Sequence, residues 1–431
     1  MDRLKKPLLI LFIASLLFAV AFVGNEAEYV ASARKQIRDA GEPLDRIQLK
    51  EYADSKTIEN ESTKELMLIL QRLAGVKFDD ERLVVPHANQ LVIADWTDAE
   101  FAREFLKNWS SDLERLAATS SQFANARFPI DYSQYPSATS PEFKGYGNAV
   151  RLVLLDGYLK AFDGKRELAM QRFQLLRALT NVQFQQPHYL TPMMRIFAIG
   201  RSRQLALVLA ERFSGDDKFL SDLQLGMLDP DAAEAWKSAW IADRAIDCDL
   251  LNTQPNPFFK VIHQSAYLQF AALVTKGFKS PELSWHLSFS EAEAERSDYN
   301  RYPWRLVYPV FGRMMSMPHG AVMAHSEVRG HAGVLAIAAV RQLMSTGAAP
   351  SSVVDIQLKF LPPNWNKNWR NDPFARPDSE TEMPLKMVSR NRELLIYSIG
   401  DDGSDDNGRF PPQRRGGIDA GVLIRLPELA E

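Results

Sequence analysis

One cysteine, Cys248, serves all 431 residues, which excludes an intramolecular disulfide and any cysteine-rich zinc site. Flanked by Asp247 and Asp249, that thiol is a poor nucleophile, because nearby carboxylates raise its pKa; a small buried hydrophobe is the expected role. The chain also lacks a surplus of either charge. Its 51 basic and 54 acidic side chains leave a formal −3, so no general field draws it to nucleic acid or an anionic membrane. It has no Gly-x-Ser-x-Gly elbow, no Walker-type phosphate loop and no Gly-x-Gly-x-x-Gly after a strand; with them go the most legible routes to acyl-transfer and nucleotide chemistry. Paired carboxylates for glycoside hydrolysis leave no such trace, since their separation is set in three dimensions. Finally, alternating strand patterns are scarce before residue 350.

What is present is a globular composition, 46% hydrophobic and 24% charged, in a chain long enough for two or three structural units. The start carries a basic head, Arg3, Lys5 and Lys6, and then 17 uncharged residues from Pro7 to Val23. This pattern reads as an export signal. Ala19-Val20-Ala21 offers a small-x-small cleavage pattern, while the uncharged run reaches the short end of a membrane span. The favoured expectation is an uncleaved signal anchor: one transmembrane helix in the cell membrane, basic residues on the cytoplasmic side and the rest extracytoplasmic. The alternative is a secreted or periplasmic protein after cleavage.

Helical periodicity follows. Leu66, Ile69, Leu70 and Leu73 share one face; Phe101, Phe105, Trp109, Leu113 and Leu116 make a second stripe, Ala169, Phe173, Leu176 and Leu179 a third, and Leu205, Val208, Leu209 and Phe213 a fourth. Ala126–Gly147 reads as a long covering loop broken by prolines and glycines, and the Arg301–Pro309 stretch, rich in aromatics and arginine, as a packed connection. An apolar helix follows His331, with Val334, Ile337, Val340 and Met344 on overlapping faces and Gly347 as its stop. Then come four candidate strands, "IQLKF", "PLKMVS", "ELLIYSIG" and "AGVLIRL". The expected fold is mainly α: a signal segment over 1–25, a helical extracytoplasmic body over 26–330, and a small α+β module, helix plus short antiparallel sheet, over 331–431.

That last region resembles the C-terminal module of the type II secretion major pseudopilins, and of uncharacterised exported bacterial proteins with the same tail. The match is in the order of motifs: the alanine-rich helix, Gly347 and Pro350, "VVDI", "DPF" at Asp372–Phe374, "PLKM" at Pro384–Met387, "YSIGDDG" at Tyr397–Gly403, and "IDAGV" at Ile418–Val422. A fainter similarity to those exported proteins covers "IRDAGEPLDRIQLKEY" and "LLDGYLKAFDGKRELAMQRFQLLRAL". The pseudopilin processing signal and its glutamate at the fifth mature position are missing, so pilus assembly does not carry over. The resemblance implies a calcium-holding turn, and the positions that match it are Asp402, Asp405, Asp406 and Asp419.

Glycine-broken acidic turns suit calcium, a hard cation that takes six to eight oxygens in loose geometry. Two other readings stay open for this turn: pairing with Arg409, Arg414 and Arg415, or plain solvation. His319, His325, Glu327 and His331 suggest metal at first sight, yet six-residue spacing places helical side chains on different faces, and His331 is expected to cap or line the apolar helix. The expected function is a non-enzymatic binding or structural role at the cell envelope, with calcium as a structural cofactor, an envelope protein as partner and no nucleic acid. The alternative is an envelope hydrolase with its site in the helical body.

Overall fold

The computed structural model describes residues 2–55, 61–83, 96–126, 141–182, 190–278, 320–372, 374, 383–400, 405–408 and 420–427. Among them are twelve α-helices and one three-stranded antiparallel sheet. The protein is mainly α with a small C-terminal α+β portion, as its periodicities predict.

Helices α3 (Glu61–Leu73), α6 (Pro141–Phe162), α7 (Arg166–Val182) and α8 (Leu190–Arg212) pack together at the centre. Each apolar stripe is inward: Leu66, Ile69, Leu70 and Leu73 on α3, Ala169, Phe173, Leu176 and Leu179 on α7, and Leu205, Val208 and Leu209 on α8 are buried. Burying one such leucine contributes roughly 1.5–3 kcal/mol. Helix α6 shows no single stripe because neighbours surround it. Ala149, Val150, Leu152, Val153 and Leu155 are all inaccessible among α3, α7 and α8.

Two local expectations change. Ala126–Gly147 is not one loop, because α6 already begins at Pro141 and contains Gly145 and Gly147. Proline suits a first helical turn, where its missing N–H would be unpaired anyway. Gly145 marks a close approach instead of a break, since a Cβ there would lie 1.8 Å from the Leu70 carbonyl oxygen of α3. The stripe from Phe101 to Leu116 is divided between α4 (Ala99–Lys107) and α5 (Ser110–Thr119), because Trp109 leaves helical geometry at φ −118°, ψ 4°. Both pieces still face the core through Leu106, Leu113 and Leu116. The Arg301–Pro309 stretch lies outside the described residues.

A second apolar cluster joins α10 (Ala232–Asn252) and α11 (Pro257–Phe278) to the later turns of α1 (Asp2–Asp39): Val30 meets Trp236, Trp240, Tyr267 and Phe270, with Tyr29, Ala33 and Ile37 around it. This corrects the signal anchor. Among the described residues no helix is long and apolar enough to cross a membrane. Helix α1 instead continues through Glu26, Glu28, Arg34, Lys35 and Arg38 and docks on the protein's own surface. From Glu26 onward the helix is mixed polar and protein-packed, unlike the unbroken apolar surface that lipid requires.

Helix α12 (Gly320–Thr346) runs through the expected boundary at 330 and buries Val334, Ile337 and Val340. It packs against α8, against α9 (Asp217–Leu225) and against the sheet, so one apolar core extends from the body into the C-terminal part. Arg341 ties these pieces: it donates to Asp217 Oδ1 and Oδ2 at 2.7 and 2.9 Å, to Gln224 Oε1 at 2.6 Å and to the Phe360 carbonyl at 3.0 Å. Gly347 ends the helix at φ 74° and donates to the Leu343 carbonyl at 2.8 Å, the left-handed stop that its position predicts. The sheet runs β1 (Lys386–Arg390), β2 (Glu393–Ser398), β3 (Ala420–Arg425) in that order, burying Leu394, Ile396, Val422 and Ile424. The fourth expected strand, "IQLKF", falls in short 3-10 helical turns. Side chains take its backbone partners: Gln357 N–H donates to Gln342 Oε1 at 2.9 Å, and the Phe360 carbonyl accepts from Arg341 and Gln224.

Candidate functional site

The acidic turn leaves β2 between two fixed ends. At its near end Asp372, of the "DPF" motif, is 6% exposed and accepts from the Ser398 hydroxyl at 2.6 Å, the Ile399 N–H at 3.1 Å and the Phe374 N–H at 2.9 Å. Burial raises the pKa of this carboxyl while those bonds pull it back. Two motifs read separately in the sequence, "DPF" and "YSIG", are thus one hydrogen-bonded unit.

At the far end, Asp405 and Asp406 are exposed. Lys386 Nζ pairs with Asp405 Oδ2, while the Tyr397 hydroxyl and the Asn407 N–H donate to Oδ1 at 3.1 and 2.9 Å. The Lys386 bond, more than any other contact, lowers the Asp405 pKa. Lys386 and Tyr397 can share this carboxylate because they are register partners across β1 and β2. The other expected ligands, Asp402 and Asp419, lie outside the described residues, as do Arg409, Arg414, Arg415 and His319. Among the described residues no three or more of His, Cys, Asp and Glu gather as a metal site. The donor chemistry still suits a hard cation, with two exposed carboxylates beside the left-handed Asn407 and Gly408. Lys386 would have to yield its bond to Asp405.

The histidines of α12 do not converge. His325 lies against Phe374 with ring centroids 5.0 Å apart. His331 sits in the interior of α12, because the helix begins eleven residues earlier, at Gly320. It lines rather than caps. Its ring stacks on Trp369 at 5.1 Å and meets the edge of Trp365 at 6.1 Å. Burial, helped by the nearby Arg203 charge, pushes its pKa down to about 3, so the ring is neutral in ordinary buffers. It serves as an aromatic wedge between α12 and the Trp365–Trp369 segment.

A tight cleft under α1, without room for a water molecule, is lined by Arg34, Cys248, Leu251, Gln264, Tyr267 and Leu268. Burial pushes the Cys248 thiol up to about 12, which leaves it inert. Arg34 Nη1 and Gln264 Nε2 both donate to Asn252 Oδ1, at 3.1 and 2.9 Å, holding α1 on α10 and α11. Beside this cleft burial, reinforced by Asp243 one turn earlier, raises the Asp247 pKa well above the ordinary carboxylate range. A raised acid binds more protons folded than unfolded, so its contribution is most favourable below the unfolded pKa and is lost as pH rises. Asp247→Asn is therefore expected to stabilise the protein at pH 8 by on the order of 1 kcal/mol, seen as a higher melting temperature, with the gain vanishing near pH 4. Equal melting curves at pH 8 would rule this out.

No protein-family model matches the chain, and no curated protein or solved structure does either. Lys386, Tyr397 and Asp247 were not singled out by the sequence as site residues. The strand alternation that pairs Lys386 with Tyr397 was the only available signal for two of them.

Proposed function

We propose that this protein is an exported, non-enzymatic component of the cell envelope with a structural or binding role, in which calcium staples the acidic turn of a pseudopilin-like C-terminal module. The observation that carries this reading is the Asp372 junction. It couples two motifs of the resemblance, "DPF" and "YSIG", and gives the acidic turn a root at Ser398 and Ile399. Its support in the body is that buried arginines fasten its elements together: Arg172 of α7 to Asp156 of α6, with Nε–Oδ2 at 2.6 Å, Arg195 of α8 to Asp229 in the connection after α9, and Arg341 of α12 to Asp217 of α9. The partner in this reading is another envelope protein, to which the exposed Val354 and Leu358, between α12 and the sheet, offer apolar contact.

Two measurements test it on the full chain. Adding calcium is expected to raise the melting temperature by several degrees through preferential binding to the folded state, and Asp402→Ala should abolish the shift. No shift in the unmodified protein would defeat the calcium staple. Export is checked by locating the protein in cell fractions and sequencing its mature N-terminus. A start at residue 22 in the envelope or secreted fraction is expected, and an intact chain in the cytosol overturns the reading.

A further inference from the structure

Glu211 lies in the last turn of α8, where the body meets the outer edge of the sheet. Strand β3 pairs with β2 on one side, and among the described residues no strand pairs its other edge. Backbone N–H groups alternate in direction along a strand. Leu426 N–H donates inward to the Arg392 carbonyl at 2.7 Å, and the preceding amide, Arg425 N–H, points outward and donates to Glu211 Oε1 at 2.8 Å. A side chain of the helical body thus takes the place of a missing strand.

We propose that Glu211 is a proton-controlled latch through which the helical body holds the free edge of the C-terminal sheet in acid and loosens it in alkali. The charged and titratable groups acting on it come from each element packed there. They are Arg425 on β3, Glu393 on β2, which sits opposite Arg425 in the strand register, and Tyr158 on α6. Arg425 is partly occupied elsewhere, with its Nε 3.7 Å from Glu393 Oε1. A deprotonated Glu211 must give up water and bear the repulsion of the Glu393 carboxylate, which already draws on that cation. Both effects favour the neutral acid, which still accepts the Arg425 amide. Burial first, then repulsion by Glu393, lift the carboxyl to about 7, against a downward pull from the Arg425 amide and charge.

The sign is that of a raised acid: the folded state holds the extra proton, so stability is greatest below the unfolded pKa near 4.5 and falls as pH passes through about 7. The latch therefore answers to neutral pH, where an ordinary glutamate is already ionised. It depends on neither calcium nor export, so its failure would leave the proposed function standing.

The test is amide hydrogen exchange of the β3 segment in the full chain, corrected for intrinsic rates, at pH 5.5 and 8.5. Protection of β3 is expected to fall by roughly tenfold across this range, less than the full titration predicts because part of the carboxyl faces solvent. In Glu211→Gln, whose amide oxygen accepts the same bond without titrating, protection should be equal at the two pH values. Should that variant fail to fold, Glu393→Gln provides the second measurement: removing the repelling charge is expected to move the midpoint of the transition to lower pH. Protection that does not change with pH in the unmodified protein overturns the proposal. So does a Glu211→Gln variant that keeps the same pH dependence, or a Glu393→Gln midpoint that stays in place.

Discussion

Arg195→Met is expected to destabilise the protein by about 3 kcal/mol, because it strands a buried carboxylate. Arg195 of α8 is 2% exposed, and its guanidinium grips Asp229 with Nε 3.1 and 3.0 Å from the two carboxylate oxygens while Nη1 donates to the Thr180 carbonyl at 3.0 Å. Asp229 lies in the connection between α9 and α10, so this fork sets how that connection sits on the body. Methionine fills much of the space but satisfies none of the three acceptors. Arg177 and Arg203, both close enough to feel the Asp229 charge, soften the loss and keep it at the lower end for a broken buried pair. The double variant with Asp229→Asn should recover much of the stability, since the stranded charge is the main cost. Denaturant titration checks this. A single substitution costing under about 1 kcal/mol, or a double no better than the single, would show that the pair is dispensable.

Gly145→Ala is the second large effect, with an expected cost of about 3 kcal/mol, at the upper end of overpacking. The added methyl would come within 1.8 Å of Leu70 O, 2.5 Å of its carbonyl carbon and 3.0 Å of its Cα. All three are backbone atoms, so no rotamer change relieves the clash. Helix α3 must move away from α6, opening the contact that buries Leu66, Ile69, Leu70 and Leu73. Gly147 makes the control, because a Cβ there meets nothing within 4 Å. Gly147→Ala should stabilise the protein by about 0.5–1 kcal/mol through reduced backbone entropy in the unfolded chain and better helix propensity. Thermal melts followed by circular dichroism compare the two. If Gly145→Ala melts with or above the unmodified protein, the close approach of α3 and α6 is not as described.

These two sites show where the sequence was readable. The stripe on α3 identified its buried face, whereas Gly145 and Gly147 looked alike, both as breakers, until the neighbouring helix was in place. In the acidic turn the carboxylates were visible, but their neutralising partner was sought in Arg409, Arg414 and Arg415, nearby in sequence. In the structure Asp405 is paired across the sheet by Lys386, 19 residues away. The titrating group with the most consequence, Glu211, carried no signal, since its burial depends on a strand more than two hundred residues further on.

By itself the sequence determined the helical class, the inward faces of α3, α7, α8 and α12, the stop at Gly347 and three of the four strands. Each follows from a period of 3.6 or 2 or from the backbone freedom of one residue, and those properties act within a few neighbours. Tertiary structure alone decided the break at Trp109, the fate of "IQLKF", the docking of α1, the junction at Asp372 and the contact of Glu211 with the sheet edge. For "IQLKF", Asp372 and Glu211 a backbone or carboxyl group takes its partner from a distant segment, and for α1 the apolar face is supplied by α10 and α11, so those energies are undefined until the chain has packed.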